Sequence, residues 1–296
     1  MHWLGFIPTY TRHHPVNRPA PVFESRRPAT PQLAVTSKLA PDDGPPHTQC
    51  EGFRDAGGGY GRPGCPRWPR VPVELADPES TNLVKLAVAW LDGDGTVPVR
   101  SDLRAAVADA ASAHSERGLD VINERPPGFE EGESVYAALR AAEGLPDHLS
   151  AVAGHESELT EYLRVWLARP AVELTLTQYR ALGVQADSVR ARVLAFMEDR
   201  PILLLPVASI PAFVPETWDF VVEGTEVARF NIETCCRVVT LLRTPAAVVP
   251  CGTTPEGLPI GVQVVGRPYR DHEVMAVAIA LEEAFGRWRP PTPSSD

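Results

Sequence analysis

The sequence contains no stretch of about 18 consecutive apolar residues, so nothing in it is predicted to span a membrane. It also has no basic stripe. The formal net charge is −10, and residues 81–296 hold 19 basic and 30 acidic side chains of the 28 and 38 in the whole chain. This acidic balance argues against binding to nucleic acid or to an anionic membrane surface.

Metal and cofactor signatures are also missing. Cys235 and Cys236 are adjacent, which is not a chelating spacing, and His155 lacks a second histidine four residues later. The run 59–64 has the glycine spacing of a dinucleotide-binding loop, but no strand precedes it and a proline interrupts it. We therefore expect no metal and no cofactor. Five cysteines, an odd number, and the lack of a signal-peptide pattern favour a reduced, cytoplasmic setting.

Residues 1–80 show no helical or strand period and carry 14 of the 31 prolines. The Gly-, Pro- and Arg-rich run 57–70 cannot build a core or a hydrogen-bonded ladder. We predict that residues 1–80 are disordered and that residues 81–296 form an α/β region.

Within 81–296 the patterns predict a β-α-β unit: a strand over Leu83–Leu91, a helix over Val97–Arg117 and a strand over Leu119–Ile122. Residues 132–199 are expected to be helical, with breaks at 144–146, at 169–170 and near Gly183. The remaining predictions are a buried strand over 201–206, an irregular loop over 209–228, and helices over 230–242 and 271–285. Together they indicate a mixed, mainly parallel sheet flanked by helices.

The C-terminal runs Thr244–Gly252 and Gly257–Pro268 are two apolar β-type segments joined by Thr254-Pro-Glu-Gly257, which has the residues of a tight turn. These motifs, with Phe230-Asn231 upstream and Arg267-Pro-Tyr269 downstream, resemble the C-terminal end of the amidase signature family. The resemblance extends roughly over residues 82–289. It implies the C-terminal part of the amidase signature fold and, as activity, hydrolysis of an amide C–N bond.

The resemblance also implies a nucleophilic serine, a second serine in a cis peptide and a lysine base, which must lie within hydrogen-bond reach of one another. The only lysines are Lys38 and Lys85, neither in the expected context, and the only Ser-Ser pair is Ser294-Ser295. No Gly-Gly-Ser sequence occurs. We therefore assign no catalytic residue and expect an amidase-like chain that is catalytically incomplete, with a non-catalytic scaffold or interaction protein as the alternative.

Two polar residues are candidates for substrate binding. Gln263 is the polar exception in an apolar strand, and it either bonds to a neighbouring loop or lines a substrate pocket. Asn231 begins an apolar helix, where it either caps the helix or contacts substrate. As partners we expect a small-molecule amide, and either self-association or a complementary N-terminal amidase core.

The Arg, Pro, Gly and His richness of 12–70 is typical of out-of-frame translation of GC-rich DNA. A shifted reading frame that hides the catalytic core is therefore expected, and a genuine truncation is the alternative. The pattern does not identify the amide or separate a stand-alone amidase from an amidotransferase subunit.

Overall fold

A computed structural model describes residues 35–36, 76–143, 148–149, 152–169 and 172–286 of the chain. Its helices are α1 Ser101–Glu116, α2 Gly132–Glu143, α3 Glu161–Leu167, α4 Leu176–Asp199, α5 Thr234–Leu242 and α6 Asp271–Phe285. Its strands are β1 Val35–Thr36, β2 Val88–Trp90, β3 Val121–Asn123, β4 Ile202–Pro206, β5 Asp219–Val222, β6 Thr225–Ala228, β7 Ala246–Thr253 and β8 Pro259–Gly266.

Six of these strands form one mixed sheet in the order β1-β7-β8-β4-β2-β3. The β4–β2 and β2–β3 pairs are parallel, whereas β1–β7, β7–β8 and β8–β4 are antiparallel. Strands β3, β2, β4 and β7 consequently run in the same direction and β8 and β1 run against them. The predicted mixed α/β sheet with helices on its faces is confirmed, and most of its strands share one direction.

The β-α-β unit is present, since β2, α1 and β3 follow one another and β2 pairs in parallel with β3. The predicted first strand was too long. Leu83–Lys85 forms a 3-10 turn, and the strand begins only at Val88. The apolar run 83–91 thus serves two elements, which its composition alone could not separate.

Strand β4 is buried on both faces, as its continuous apolar sequence predicts. On one face Ile202 and Leu204 pack with α1 and α6, and on the other Leu203 and Leu205 pack with α2, α4 and α5. The core therefore consists of two helical layers on a central sheet.

The predicted C-terminal hairpin is also confirmed, with β7 and β8 paired from Ala246–Val265 to Thr253–Pro259. In its turn the N–H of Gly257 donates to the carbonyl of Thr254 at 2.9 Å, and Gly257 has φ +84°. Pro250 lies on β7. Strand β1 pairs with β7 only at Ala246 and Ala247, so Pro250 lies beyond this pairing. Proline is tolerated in sheets on such edge strands.

Two predictions in the helical and loop regions were wrong. Helix α4 continues through Gly183 to Asp199, because the capping box of Thr175 and Gln178 fixes its start and buried positions such as Val189 and Val193 hold its second half. The segment 209–228 is not irregular throughout, since β5 and β6 form a hairpin with the turn Glu223-Gly224.

Helix α6 has the predicted bounds. The predicted disordered segment 1–80 and the break at 144–146 lie almost entirely outside the described residues, which include only 35–36 and 76–80 of the former. Among these, Pro78–Ser80 forms a 3-10 turn with Asp77 as its N-cap.

Candidate functional site

The topology of the sheet predicts a ligand site outside the carboxyl ends of β2 and β3. The chain leaving β2 enters α1 on one face, and the chain leaving β3 enters α2 on the other. Loops that diverge to opposite faces in this way leave a crevice between them, where ligands of open α/β sheets bind.

The loop after β2 contributes a buried carboxylate to this crevice. Asp94 is fully buried and accepts hydrogen bonds from the backbone N–H of Thr96 at 3.0 Å and from its hydroxyl at 2.8 Å. These two bonds fix the orientation of the carboxylate. Sequence reasoning missed this residue, although the acidic, Gly-rich run 92–95 directly after an apolar strand was a usable signal.

Arg125, in the loop after β3, reaches across the crevice. Its Nη2 donates to the carbonyl of Gly93 at 3.4 Å and lies 3.9 Å from Oδ1 of Asp92. Gly95, with φ +89°, lets the guanidinium approach closely, because a Cβ at that position would lie 2.9 Å from Nη1. The side chain of Arg125 keeps 38% exposure, so its remaining donors can reach a ligand.

Behind the crevice, the starts of α2 and α5 are joined by a mostly buried ion cluster. Arg237 Nη1 donates to Glu133 Oε1 at 2.8 Å, and its Nη2 lies 3.6 Å from Glu233 Oε1. Burial raises the pKa of both carboxyl groups above the usual range, an effect opposed by Arg237. Two carboxylates thus share one guanidinium, and Glu133 Oε2 has no hydrogen-bond partner among the described residues.

An aromatic group lies beside this cluster. The guanidinium of Arg229 is within 5.5 Å of the ring centres of Tyr162, Phe213 and Trp218. Burial raises the pKa of Tyr162 to about 12, helped by the charge of Glu233. The group connects α3 to the segment that carries β5 and β6.

The buried serine and cysteine side chains described near the crevice are not activated. Burial raises the pKa of the Cys236 thiol to about 12, and that thiol donates to the carbonyl of Val207 at 3.0 Å. Cys235 is fully buried, and burial raises the pKa of its thiol well above the ordinary value. The Ser209 hydroxyl is buried and contacts no base in the described part of the chain. Lys85 lies in the turn before β2, at the opposite edge of the sheet.

Gln263 is buried in the middle of β8, opposite Leu205 on β4 and Val248 on β7. Because directly opposed residues share a face, its side chain lies on the face covered by α2, α4 and α5. Its Nε2 has no hydrogen-bond partner among the described residues, so the bond to a neighbouring loop that one interpretation required is not found. Substrate binding by Gln263 stays a prediction.

Asn231 is exposed, and it ends the 3-10 turn Arg229–Asn231. It does not cap the following helix, since the N-cap position of α5 is occupied by Glu233. The prediction of one continuous helix over 230–242 was therefore wrong at its start, because the first residues form this separate turn. No hydrogen bond between described residues joins Asn231 to Gln263, so the structure does not show the two candidates acting together.

Within the described ranges, no group of three or more His, Cys, Asp and Glu side chains is placed to hold a metal ion. Across the same ranges, no helix combines the length and the apolar character needed to cross a bilayer.

Several known proteins are similar to this chain in sequence or in fold. The putative amidase AmiD of Mycobacterium bovis is 27% identical over 239 residues, which cover 80% of this chain and 49% of the relative. A glutamyl-tRNA(Gln) amidotransferase subunit of Brevibacillus brevis is 34% identical over 114 residues, 36% of this chain and 22% of the relative. A solved amidase structure matches with a TM-score of 0.59 at 24% identity, covering 73% of this chain and 48% of the other.

The chain thus spans half or less of the length of these relatives. The family model described as Amidase matches residues 61–275, a longer part of the chain at its N-terminal side than the resemblance from residue 82 suggested. That match covers well over half of the sequence, and together with the mixed sheet it shows that the chain belongs to the amidase signature family.

Proposed function

We propose that this chain is the substrate-cleft portion of an amidase-family hydrolase and that it does not hydrolyse amides by itself. The observation that carries the proposal is the composition of the crevice. It offers hydrogen-bonding groups suited to an amide, the guanidinium of Arg125 and the carboxylates around it, but none of its serine or cysteine side chains contacts a base among the described residues.

The chemistry of amide cleavage supports this division. A neutral hydroxyl or thiol attacks an amide only when a neighbouring base takes its proton. Ser209 has no such base among the described residues, and the thiols of Cys235 and Cys236 are held protonated by burial. The amine of Lys85 is at the other edge of the sheet. Loss of a nucleophile with its base typically reduces the rate about a millionfold.

The experiment is an ammonia-release assay on the full chain with benzamide, hexanamide and glutamine. We expect release no faster than in buffer. Ser209→Ala, purified in parallel, is the matched variant: turnover by the wild type that Ser209→Ala abolishes would identify an active nucleophile and overturn the proposal. Turnover that is the same in both preparations and is lost in another single serine or cysteine variant would overturn it too.

The second candidate is a non-catalytic scaffold derived from an amidase, favoured by the open edge of β7. Beyond Ala247 no strand among the described residues pairs with its outer side. The two candidates predict different results with the N-terminal half of the mycobacterial relative added as a complementary core. Restored hydrolysis supports a substrate-cleft portion, and binding without hydrolysis supports a scaffold.

A further inference from the structure

A second site, a cavity, lies at the amino ends of β2 and β4, at the opposite end of the strands from the crevice. It has a volume of about 430 Å³, within the usual range of small-molecule sites, and it is bounded by the residues before β2 and β4 and by the start of α6. None of the residues of the crevice described above lines it. A ligand in this cavity would therefore bind to residues other than those of the crevice.

The lining of this cavity includes three cationic side chains, Lys85, Arg267 and Arg270. Arg270 Nη2 donates to Glu273 Oε1 at 2.6 Å, and Arg267 Nη2 lies 3.4 Å from the same oxygen. The side chain of Glu273 is only 4% exposed, so one enclosed carboxylate is shared by two guanidinium groups. The other carboxylates of the lining, Glu198 and Asp199, are exposed, and Oε2 of Glu198 lies 3.6 Å from Nη1 of Arg267.

Several donors of the lining are unused. The Oγ1 atom of Thr81 and the Nε atom of Arg267 are buried and have no hydrogen-bond partner among the described residues. Such orphaned groups commonly indicate a water or ion that completes the site. The ammonium of Lys85, also in the lining, forms no ion pair with any described residue.

We propose that this cavity binds a small oxyanion, a phosphate or carboxylate group, between Lys85, Thr81 and Arg267. A guanidinium and an ammonium suit oxyanions because each supplies charge-assisted N–H donors, and a hydroxyl adds a further donor.

The small number of lysines makes the test direct. Lys38 and Lys85 are the only two in the sequence, so reductive methylation with ¹³C-formaldehyde gives two lysine side-chain signals besides that of the N-terminus. Methylation keeps the positive charge of the amines. Lys85→Arg assigns the signals, and the labelled full chain is titrated with inorganic phosphate and, separately, with acetate.

We expect the Lys85 signal to shift with anion concentration until it reaches a plateau. The Lys38 signal should show no comparable shift. Saturation by phosphate but not acetate assigns a phosphate ligand, and the reverse assigns a carboxylate. Sodium chloride at equal ionic strength controls for screening. The inference is overturned if neither anion gives saturation, or if chloride reproduces the shift.

A pair of variants then tests the hydroxyl. Thr81→Val removes a donor with little change in shape and should weaken anion binding roughly fivefold, the effect of one hydrogen bond. Thr225→Val, on the exposed β5–β6 hairpin, should leave the affinity unchanged. Equal affinities in the two variants would contradict the role of Thr81, and unchanged melting temperatures would show that folding is not the cause.

Discussion

At the scale of single residues, His114 is a fully buried titratable side chain that lies outside the crevice. It lies in the last turn of α1 and is fully buried, and neither ring nitrogen has a hydrogen-bond partner among the described residues. Burial, with a smaller contribution from Arg117, lowers its pKa from 6.5 to about 4. The imidazole is therefore neutral in the folded protein at pH 7.

This burial predicts a loss of stability in mild acid. The unfolded chain takes up a proton near pH 6.5, while the folded chain resists it until about pH 4, so stability is full above pH 6.5 and falls as the pH drops towards 4. Each pKa unit is worth about 1.4 kcal/mol, which makes the loss between pH 7 and pH 4.5 roughly 2 to 3 kcal/mol.

Urea unfolding of the wild type and of His114→Leu at both pH values measures this loss. The leucine variant should lack the histidine component of the pH dependence and should be at least as stable at pH 7, since two unpartnered nitrogens are removed. His272→Leu retains His114 and should keep the acid-induced loss. Parallel pH profiles for the wild type and His114→Leu would show that the prediction is wrong.

Residue-level sequence reasoning located polar exceptions but not their neighbours. Gln263 stood out because its strand is apolar, and it is indeed buried. Asp94, Glu133 and Arg237 are ordinary charged residues in the sequence and become informative only as neighbours: Glu133 and Arg237 are 104 positions apart and form one ion pair. Pairing of this kind depends on how α2 and α5 pack, which no local pattern encodes.

At the scale of elements, the β5–β6 hairpin is fastened at both ends. At its tip, Glu223 has φ +48° and is followed by Gly224 at +78°, the signs required by a type I′ turn. The carboxylate of Glu223 accepts from the backbone N–H of Ser101, the first residue of α1, at 2.8 Å. At its base, Arg229 donates its backbone N–H to the carbonyl of Trp218 at 2.8 Å.

We expect Glu223→Lys to loosen this hairpin. The change removes the acceptor for a free N–H of α1 and places a positive charge beside Arg104 and the positive end of the helix dipole. Loss of such a cap costs about 1 kcal/mol. Hydrogen exchange of residues 219–228 should become faster, and Glu223→Gln, which retains an acceptor oxygen, should change it little. Identical exchange in both variants would mean that the tip contact does not hold the hairpin.

Helices and strands were predictable from the sequence where a single hydrophobic periodicity was bounded by recognisable cap or turn residues. The bounds of α6 and the β7–β8 turn are examples, since Pro255 and Gly257 fit fixed turn positions. The β5–β6 hairpin was missed because its strands have four residues each and bury only Val222 and Val227 fully. The predicted break at Gly183 was wrong. A glycine destabilises a helix by about 1 kcal/mol, which is less than the stabilisation that α4 gains by packing against the sheet.

At the scale of the whole molecule, strand β7 is paired over only two residues on its outer side within the part of the chain that the structure describes. The inner side of β7 pairs with β8 along its length, and its outer side pairs with β1 only at Ala246 and Ala247. Val249 and Cys251 are buried against the helical layer, and beyond Ala247 no described strand pairs with the outer backbone of β7. An edge of this kind can receive another strand.

We predict that the full chain self-associates through this edge. Two copies related by a two-fold axis would bring their β7 strands together antiparallel, as β1 already pairs. Sedimentation or light scattering across a hundredfold range of concentration should show a reversible increase in mass.

Gly252→Lys is the variant that tests the surface, because an edge lysine opposes strand addition. Position 252 is exposed and has no positive φ, and an added Cβ would meet only Ala106, at 4.0 Å. The substitution should therefore keep the fold and shift the equilibrium to monomer.

Val221→Lys, which replaces an exposed valine on the hairpin, controls for added charge and for removal of apolar surface, and it should associate like the wild type. If the two variants dissociate equally, another surface joins the copies, and if the wild type stays monomeric throughout, β7 does not act as an adhesive edge in solution.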